Sequence, residues 1–526
     1  MEGKAYDMLL RGGRLFDGTG NPWQKIDVAI QKDAIAAVGH IDPASASTVI
    51  DCNNLAVCPG FIDMHSHSDI MIFREPEASS KVMQGVTTEV IGQDGISVAP
   101  IRDERKREWR KHLSGLTGDI DTEWSWNTFD EYLSALENSG TTTNIISLVP
   151  HGSIRLWVMG MENRKATGKE IAEMQRLLEE SLDAGAAGMS TGLVYPPCLY
   201  ADVAELVSLS SVLRARGKFF VAHMRSEDAE FLKATDEMIA VARSSGAPVH
   251  ISHLKVSGKP RFGRSPELLE KIDGARRDGL ELTFDQYPYT AGSTMLFALL
   301  PQWLQEGGSD AMTGRLKDAG IRKRIFDEMA SRMSSGGVDM TDILISSVGS
   351  ERNRHLEGKD LAGLSGAMGR ELIDAICDLL VEEELNVSMI MFVADEGDIR
   401  EILRHPAGTV CTDGLLGGKP HPRVYGTFPR ILGKYCREEK VLPLQEALRR
   451  MTSAAAQRLG LKNRGLVKVG MKADIVVFNP ETVIDNATYE NPRQFPTGIE
   501  HVIINGNHVV EKGKQVGKGS GMVLRV

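Results

Sequence analysis

The chain has 526 residues, 42% hydrophobic and 25% charged, which is ample for a large buried core and a smaller second domain. Its formal charge of −10 argues against a nucleic-acid or anionic-membrane partner. Residues 1–7 lack the basic and apolar regions of a secretory signal, and no apolar window approaches the ~18 residues of a membrane span. Six scattered cysteines without a CxxC pair read as small buried residues of a reducing, cytoplasmic compartment.

In chain order, residues 7–58 read as short strands broken by turns such as Arg11-Gly12-Gly13 and Asp17-Gly18-Thr19-Gly20. The mixed charges of residues 102–111 predict a solvated helix face. Ile171, Met174, Leu177, Leu178 and Leu182 form one helical stripe, closed at Gly185 and followed by a strand over residues 188–192. The unit recurs, with strands at residues 219–223, 248–253 and 282–285 and helices at 231–242 and 268–275. The strands end at 223, 253 and 285, spacings of 30 and 32 residues, which is the length of a βα repeat and predicts a parallel sheet or barrel. Residues 291–345 interrupt the rhythm and predict an insert over the barrel mouth. Strand-like pieces return at 473–478, 501–506 and 508–510, so the two ends of the chain are expected to pair into one β lobe.

The chemistry concentrates at predicted strand ends. In Phe61-Ile62-Asp63-Met64-His65-Ser66-His67 the two histidines lie two residues apart, so a strand presents both imidazoles on one face, to one divalent metal ion. His223 and His253 close consecutive strands, and a (β/α)8 barrel gathers such positions at one rim. His250 falls on the opposite strand face and is expected to be structural, as are His40, His112, His355, His405, His501 and His508. Asp94, ending the run Val90-Ile91-Gly92-Gln93-Asp94-Gly95, reads either as a carboxylate ligand or as a turn aspartate. Asp413 carries the same pair of readings: an Asp-Gly turn, or a carboxylate that takes a proton from an activated water and passes it to a leaving amine.

These residues sit in a recognisable series. The segments Pro59-Gly60-Phe61-Ile62-Asp63-Met64-His65-Ser66-His67-Ser68-Asp69, Gly85-Val86-Thr87-Thr88, Ser190-Thr191-Gly192-Leu193-Val194-Tyr195-Pro196, Ala222-His223-Met224-Arg225-Ser226-Glu227, Ile251-Ser252-His253-Leu254-Lys255, Asp285-Gln286-Tyr287-Pro288-Tyr289 and His421-Pro422-Arg423-Val424-Tyr425-Gly426-Thr427 occur in this order. The chain resembles the amidohydrolase superfamily and, within it, the N-acyl-D-amino-acid deacylase (D-aminoacylase) family, over nearly its whole length. The resemblance implies an α/β fold: a (β/α)8 TIM-type barrel over residues 61–464, a β-sandwich lobe from residues 1–60 plus 465–526, and the insert at 291–345. It implies metal-dependent hydrolysis of N-acyl-D-amino acids, with small acyl-amino-acid substrates and a divalent metal: one or two Zn²⁺, with Mn²⁺ or Co²⁺ as substitutes. His65 and His67 would hold one metal position, His223 and His253 the tighter one, with Asp413 as acid and base. Lys255, Tyr287 and Arg423 would bind the substrate carboxylate, since a guanidinium can grip a carboxylate with two parallel hydrogen bonds. Tyr195 would line the side-chain pocket. His151 would either polarise the substrate carbonyl or cap a loop.

Two departures from the family pattern stand out. Asp94 occupies the place of a metal-binding cysteine, and a carboxylate is a harder ligand, suited to bridging two ions and to Mn²⁺ or Co²⁺. Cys198 replaces a usual glycine near the pocket. Two other readings are left open: hydrolysis of cyclic amides or dipeptides, as in dihydroorotase-like or isoaspartyl-dipeptidase-like enzymes, and a non-catalytic scaffold. Many of the former use a carboxylated lysine between their metals, and no lysine ends a predicted strand before His223. Side-chain preference and oligomeric state, a homo-oligomer among the options, are not encoded legibly.

Overall fold

The computed structural model describes residues 4–118, 122–334 and 339–526. Residues 1–3 of the N-terminal stretch and 335–338 of the expected insert therefore lie outside the described residues.

The chain opens with five strands, β1 (Tyr6–Leu15), β2 (Gln24–Gln31), β3 (Ala34–Gly39), β4 (Ala46–Asp51) and β5 (Ala56–Pro59). The register of β1 on β2 shifts between Leu10 and Gly13, where Gly12 takes a φ of 70° that a side chain would oppose. That bulge lets the ten-residue β1 bond β2 on one edge and both β4 and β5 on the other.

Two parallel sheets follow. β6 (Phe61–Asp63), β7 (Val86–Ile91) and β8 (Asn144–Ser147) form the first, and β9 (Val149–Pro150) continues the chain one residue beyond β8. The second runs in the order β17-β13-β12-β11-β10-β9, built from β10 (Gly188–Gly192), β11 (Phe219–His223), β12 (Val249–Ile251), β13 (Leu282–Gln286) and β17 (Gly408–Val410). Almost every residue of these strands is buried, as parallel strands covered on both faces must be. Helices return the chain between them: Gly168–Asp183, entered through a Thr167/Glu170 capping box, Val203–Ala215, capped by Asp202, then Phe231–Ser245 and Ser265–Arg277. The β6 and β17 edges also meet: Met64 N donates to Val410 O at 3.2 Å, and a parallel bridge joins Ser66 to Gly414.

The insert is longer than residues 291–345. β14 (Ala291–Met295), β15 (Ile343–Val348) and β16 (Val387–Phe392) form an antiparallel sheet in the order β14-β16-β15, so the excursion closes only after Phe392. Its second half is helical, including Leu372–Glu382, and mimics the βα rhythm of the main body.

At the far end, β18 (Ile475–Phe478), β19 (Ile499–Ile504), β20 (Asn507–Glu511) and β21 (Lys514–Gln515) join β1 to β5 through the antiparallel pair β18/β5. By hydrogen bonding the lobe is one nine-stranded sheet that branches at β1 and draws on both chain ends. Residues from both chain ends share one buried cluster that includes Val28, Ile30, Val57, Ile475 and Ile503. The last residues leave this lobe. Ile145 N donates to Met522 O, Leu524 N to Ile145 O and Val526 N to Gly185 O, so the tail runs beside β8, ahead of β10. Among the described residues no helix is long and apolar enough to cross a membrane.

Candidate metal centre

Four imidazoles and two carboxylates converge where the parallel strands end. His65 and His67 follow β6, and their Nε2 atoms stand 3.2 Å apart. His223 ends β11 and His253 lies just beyond β12, with His223 Nδ1 2.9 Å from His253 Nε2. Asp94, after β7, sits between the pairs. Its Oδ1 lies 3.6 Å from His65 and 3.8 Å from His253, and its Oδ2 lies 3.6 Å from His67 and 3.7 Å from His223. Asp413, after β17, brings Oδ1 to 3.7 Å from His65 and 3.3 Å from His67.

These spacings fit a metal. Two donors each 2.0–2.1 Å from a tetrahedral ion stand roughly 3.3 Å apart. Asp94 Oδ1 is buried without a hydrogen-bond partner among the described residues, a costly state for a carboxylate unless a cation faces it. The donors fall into three overlapping groups, His65 with His67 and Asp413, His65 with Asp94 and His253, and His223 with Glu227 and His253, and the Asp94 carboxylate lies within reach of all four histidines.

The backbone is bent to achieve this. Asp94, His253 and Asp413 all lie in the left-handed region, with φ of 55°, 35° and 48°. Such conformations persist only where surrounding bonds over-determine them. His253 N donates to Asp285 Oδ1 at 2.6 Å, and Asp413 N donates to His65 O at 2.8 Å. Gly92, two residues before Asp94, has a φ of 77°, and a Cβ there would stand 2.2 Å from Leu148 O. Gly92→Ala is therefore expected to cost about 1–3 kcal/mol and to displace Asp94. The checks are thermal denaturation and metal content, and a variant with the wild-type midpoint would contradict the packing argument.

Arg423, Tyr287 and Lys255 adjoin the cluster. Arg423 Nη1 lies 2.9 Å from Asp413 Oδ2, and its guanidinium stacks 4.5 Å from the Tyr287 ring centroid. Lys255 Nζ stands 5.6 Å over the same ring. Tyr287 Oη and Arg423 Nε are buried with no partner among the described residues, which leaves two donors for an incoming anion. Burial opposes ionisation of Asp413, but Arg423 and the His67 contact outweigh it and hold the carboxyl well below the usual range. Tyr195 faces His223 with ring centroids 5.3 Å apart and shares a hydrogen bond with Thr294 at 2.8 Å.

His151 is not brought into the cluster. Thr191 Oγ1 at 2.9 Å and Glu205 at 2.8 Å engage both its ring nitrogens, leaving neither for a substrate carbonyl. His250 is likewise engaged by Thr283 and Asp285, in keeping with a structural role. Cys198 is buried, its Sγ 3.8 Å from Gly95 O beside Asp94.

One carboxylate near the centre escapes the sequence reading. Glu227 Oε1 lies 3.0 Å from His253 Nδ1 and accepts from Lys255 Nζ at 2.8 Å. Despite burial, the Lys255 ammonium holds Glu227 far below its ordinary range. Its signal was its place four residues after His223, within the motif containing Arg225.

Comparison with known proteins places this geometry in context. A model of the amidohydrolase family matches residues 48–510. D-aminoacylase of Alcaligenes xylosoxydans xylosoxydans is 35% identical over 526 residues, covering 99% of this chain and 98% of that protein. N-acyl-D-glutamate deacylase of the same organism is 34% identical over 504 residues, covering 95% and 93%. The crystal structure of N-acyl-D-glutamate deacylase from Bordetella bronchiseptica, complexed with zinc and a phosphonate mimic of the tetrahedral intermediate, superposes with a TM-score of 0.86 at 32% identity, covering 99% of this chain and all of that one.

Proposed function

The chain belongs to the amidohydrolase family and, within it, to the N-acyl-D-amino-acid deacylases, and from that membership we propose that it hydrolyses the amide bond of N-acyl-D-amino acids at a divalent metal centre. The observation that carries this reading is the convergence of His65, His67, Asp94, His223, His253 and Asp413 beside an anion pocket with unpartnered donors. The Met64 to Val410 hydrogen bond and the Ser66–Gly414 bridge support reading the two parallel sheets as one closed (β/α)8 barrel, with the centre at its C-terminal rim.

His65 and His67 would hold one metal position and His223 and His253 the other, with Asp94 within reach of both pairs and Asp413 beside the first. A bound divalent ion supplies Lewis-acid polarisation and makes water acidic enough to ionise near neutral pH. Zn²⁺ suits the imidazoles, and the harder Asp94 oxygen also suits Mn²⁺ or Co²⁺. Arg423, Tyr287 and Lys255 receive the substrate carboxylate and thereby fix the scissile amide against the cluster. Asp413, ionised beside Arg423, accepts the proton of the attacking water and returns it to the departing nitrogen, which leaves as the free amine. Glu227 orients His253 through Nδ1, as an outer carboxylate does for a metal-ligating histidine.

The test is amine release from N-acetyl-D-methionine before and after treatment with a strong chelator. Activity is expected to fall below about 1% and to return on adding Zn²⁺, Co²⁺ or Mn²⁺. Full activity in a chelated, metal-free protein would overturn the proposal.

A further inference from the structure

Behind the His-x-His segment lies a sealed polar network that no step above uses. Lys81 is 1% exposed although its helix, Ser79–Val82, has only four residues. Its ammonium donates to Asp63 Oδ2 at 2.6 Å, Thr412 Oγ1 at 2.8 Å and Ser66 Oγ at 2.9 Å, which uses all three of its protons. Asp63 in turn accepts from Thr412 N at 2.7 Å, Thr412 Oγ1 at 2.6 Å and His65 N at 3.3 Å. Glu89 completes the group, accepting from Ser66 at 2.8 Å, Ser68 at 2.7 Å and Thr143 at 2.7 Å, with Lys81 Nζ 3.4 Å away.

The members that touch this network are the chain neighbours of the proposed site residues. Thr412 precedes Asp413, Ser66 and Ser68 flank His67, and the His65 amide is held directly. Asp413 is also one of the left-handed residues, so something rigid must hold the chain on its N-terminal side. We infer that Lys81, Asp63 and Thr412 are positioning residues that lock the Asp413 turn to the His65–His67 segment and so set the geometry of one metal position. The inference rests on the metal-centre reading above. The network touches neither substrate nor metal. It acts through the two backbone segments it joins, at the β6/β17 edge where their strands meet.

Lys81→Met would strand two buried carboxylates and is expected to impair folding, so the discriminating variants are at Thr412. Thr412→Val keeps the side-chain shape but removes the hydroxyl that bonds Asp63 and Lys81. Thr412→Ser restores it. Thr412→Val is expected to lower kcat for N-acetyl-D-methionine about 10–100-fold, with KM within about threefold, and to shift the visible spectrum of the Co²⁺-loaded protein. Thr412→Ser is expected to recover kcat to within about threefold and to regain the wild-type spectrum. A Thr412→Val protein with wild-type kcat and spectrum, or a Thr412→Ser protein as defective as the valine variant, would overturn the inference. If wild-type protein binds Co²⁺ but releases no amine from N-acetyl-D-amino acids with acidic, apolar or polar side chains, the deacylase reading fails instead, and the Co²⁺ spectra of the two variants alone decide on the positioning role.

Discussion

Asp413→Asn is expected to lower kcat by about 10²–10⁴-fold, the contribution of a positioned general acid and base. Asparagine keeps the shape of the side chain and can still face Arg423, but it cannot accept the proton of the attacking water. Because the substrate carboxylate is assigned to Arg423, Tyr287 and Lys255, KM should move far less than kcat. Asp413 Oδ1 also stands 3.7 Å from His65 and 3.3 Å from His67, so metal content has to be measured on the same preparation. An Asp413→Asn protein that retains its metal and more than about a tenth of the wild-type kcat would remove Asp413 from the proton path.

Arg423→Lys should also be damaging, for a different reason. Arg423 is wholly buried, pairs with Asp413 at 2.9 Å, donates from Nη2 to Ser293 O at 3.2 Å and stacks on Tyr287. A lysine keeps the charge but neither the planar stack nor the fork. Losing a hydrogen bond to a charged group costs about 1.5–3 kcal/mol. That corresponds to a loss of about 10- to 150-fold in kcat/KM, with a large share in KM. A matched pair of substrates isolates the binding component: with the carboxylate capped as an amide, wild type should lose its advantage over the variant. If the variant still discriminates acid from amide as wild type does, the carboxylate is held elsewhere.

Much of this arrangement was legible in the sequence because it follows from two periodicities. Apolar stripes with a spacing near 3.6 alternate with short buried runs, and the parallel order from β10 to β13 matches the 30- and 32-residue spacing of the strand ends. The histidines at those ends are polar residues in apolar runs, which is why His65, His67, His223 and His253 could be singled out. Asp94 and Asp413 each carried two competing readings, turn or site, and the geometry has features of both: each has a left-handed φ, is followed by glycine, and brings its carboxylate to within 4 Å of His65. A tight turn is how the chain aims a short carboxylate back at the strand ends.

What escaped prediction depends on contacts distant in sequence. Ser79-Ser80-Lys81 reads like any solvated helical turn, and Lys81 becomes an interior residue through Asp63, Ser66 and Thr412, which lie 18, 15 and 331 residues away. The length of the insert was hidden because its helix Leu372–Glu382 followed by β16 has the local texture of a βα unit, while its strands pair antiparallel with β14. Nothing local distinguished His151 from a substrate-facing histidine. Glu205, 54 residues away, occupies its Nε2. The pairing of the two chain ends into one β lobe was legible from their shared strand-and-turn texture, but which edges bond was not, and the bulge at Gly12 decides that.

The central claim is that the cluster and the anion pocket together hold one configuration of an acylated amino acid. With the carboxylate fixed at Arg423 and the acyl carbonyl at the metal centre, inverting the α-carbon redirects the side chain, so the site must discriminate between enantiomers. The most direct measurement is kcat/KM for amine release from paired N-acetyl-D- and N-acetyl-L-amino acids with acidic, apolar and polar side chains, on protein of known metal content. The account predicts release from D substrates, with L enantiomers slower by at least about 10²-fold, and the same series ranks the side chains. Equal rates for the two enantiomers, or no release from either by fully metallated protein, would contradict it.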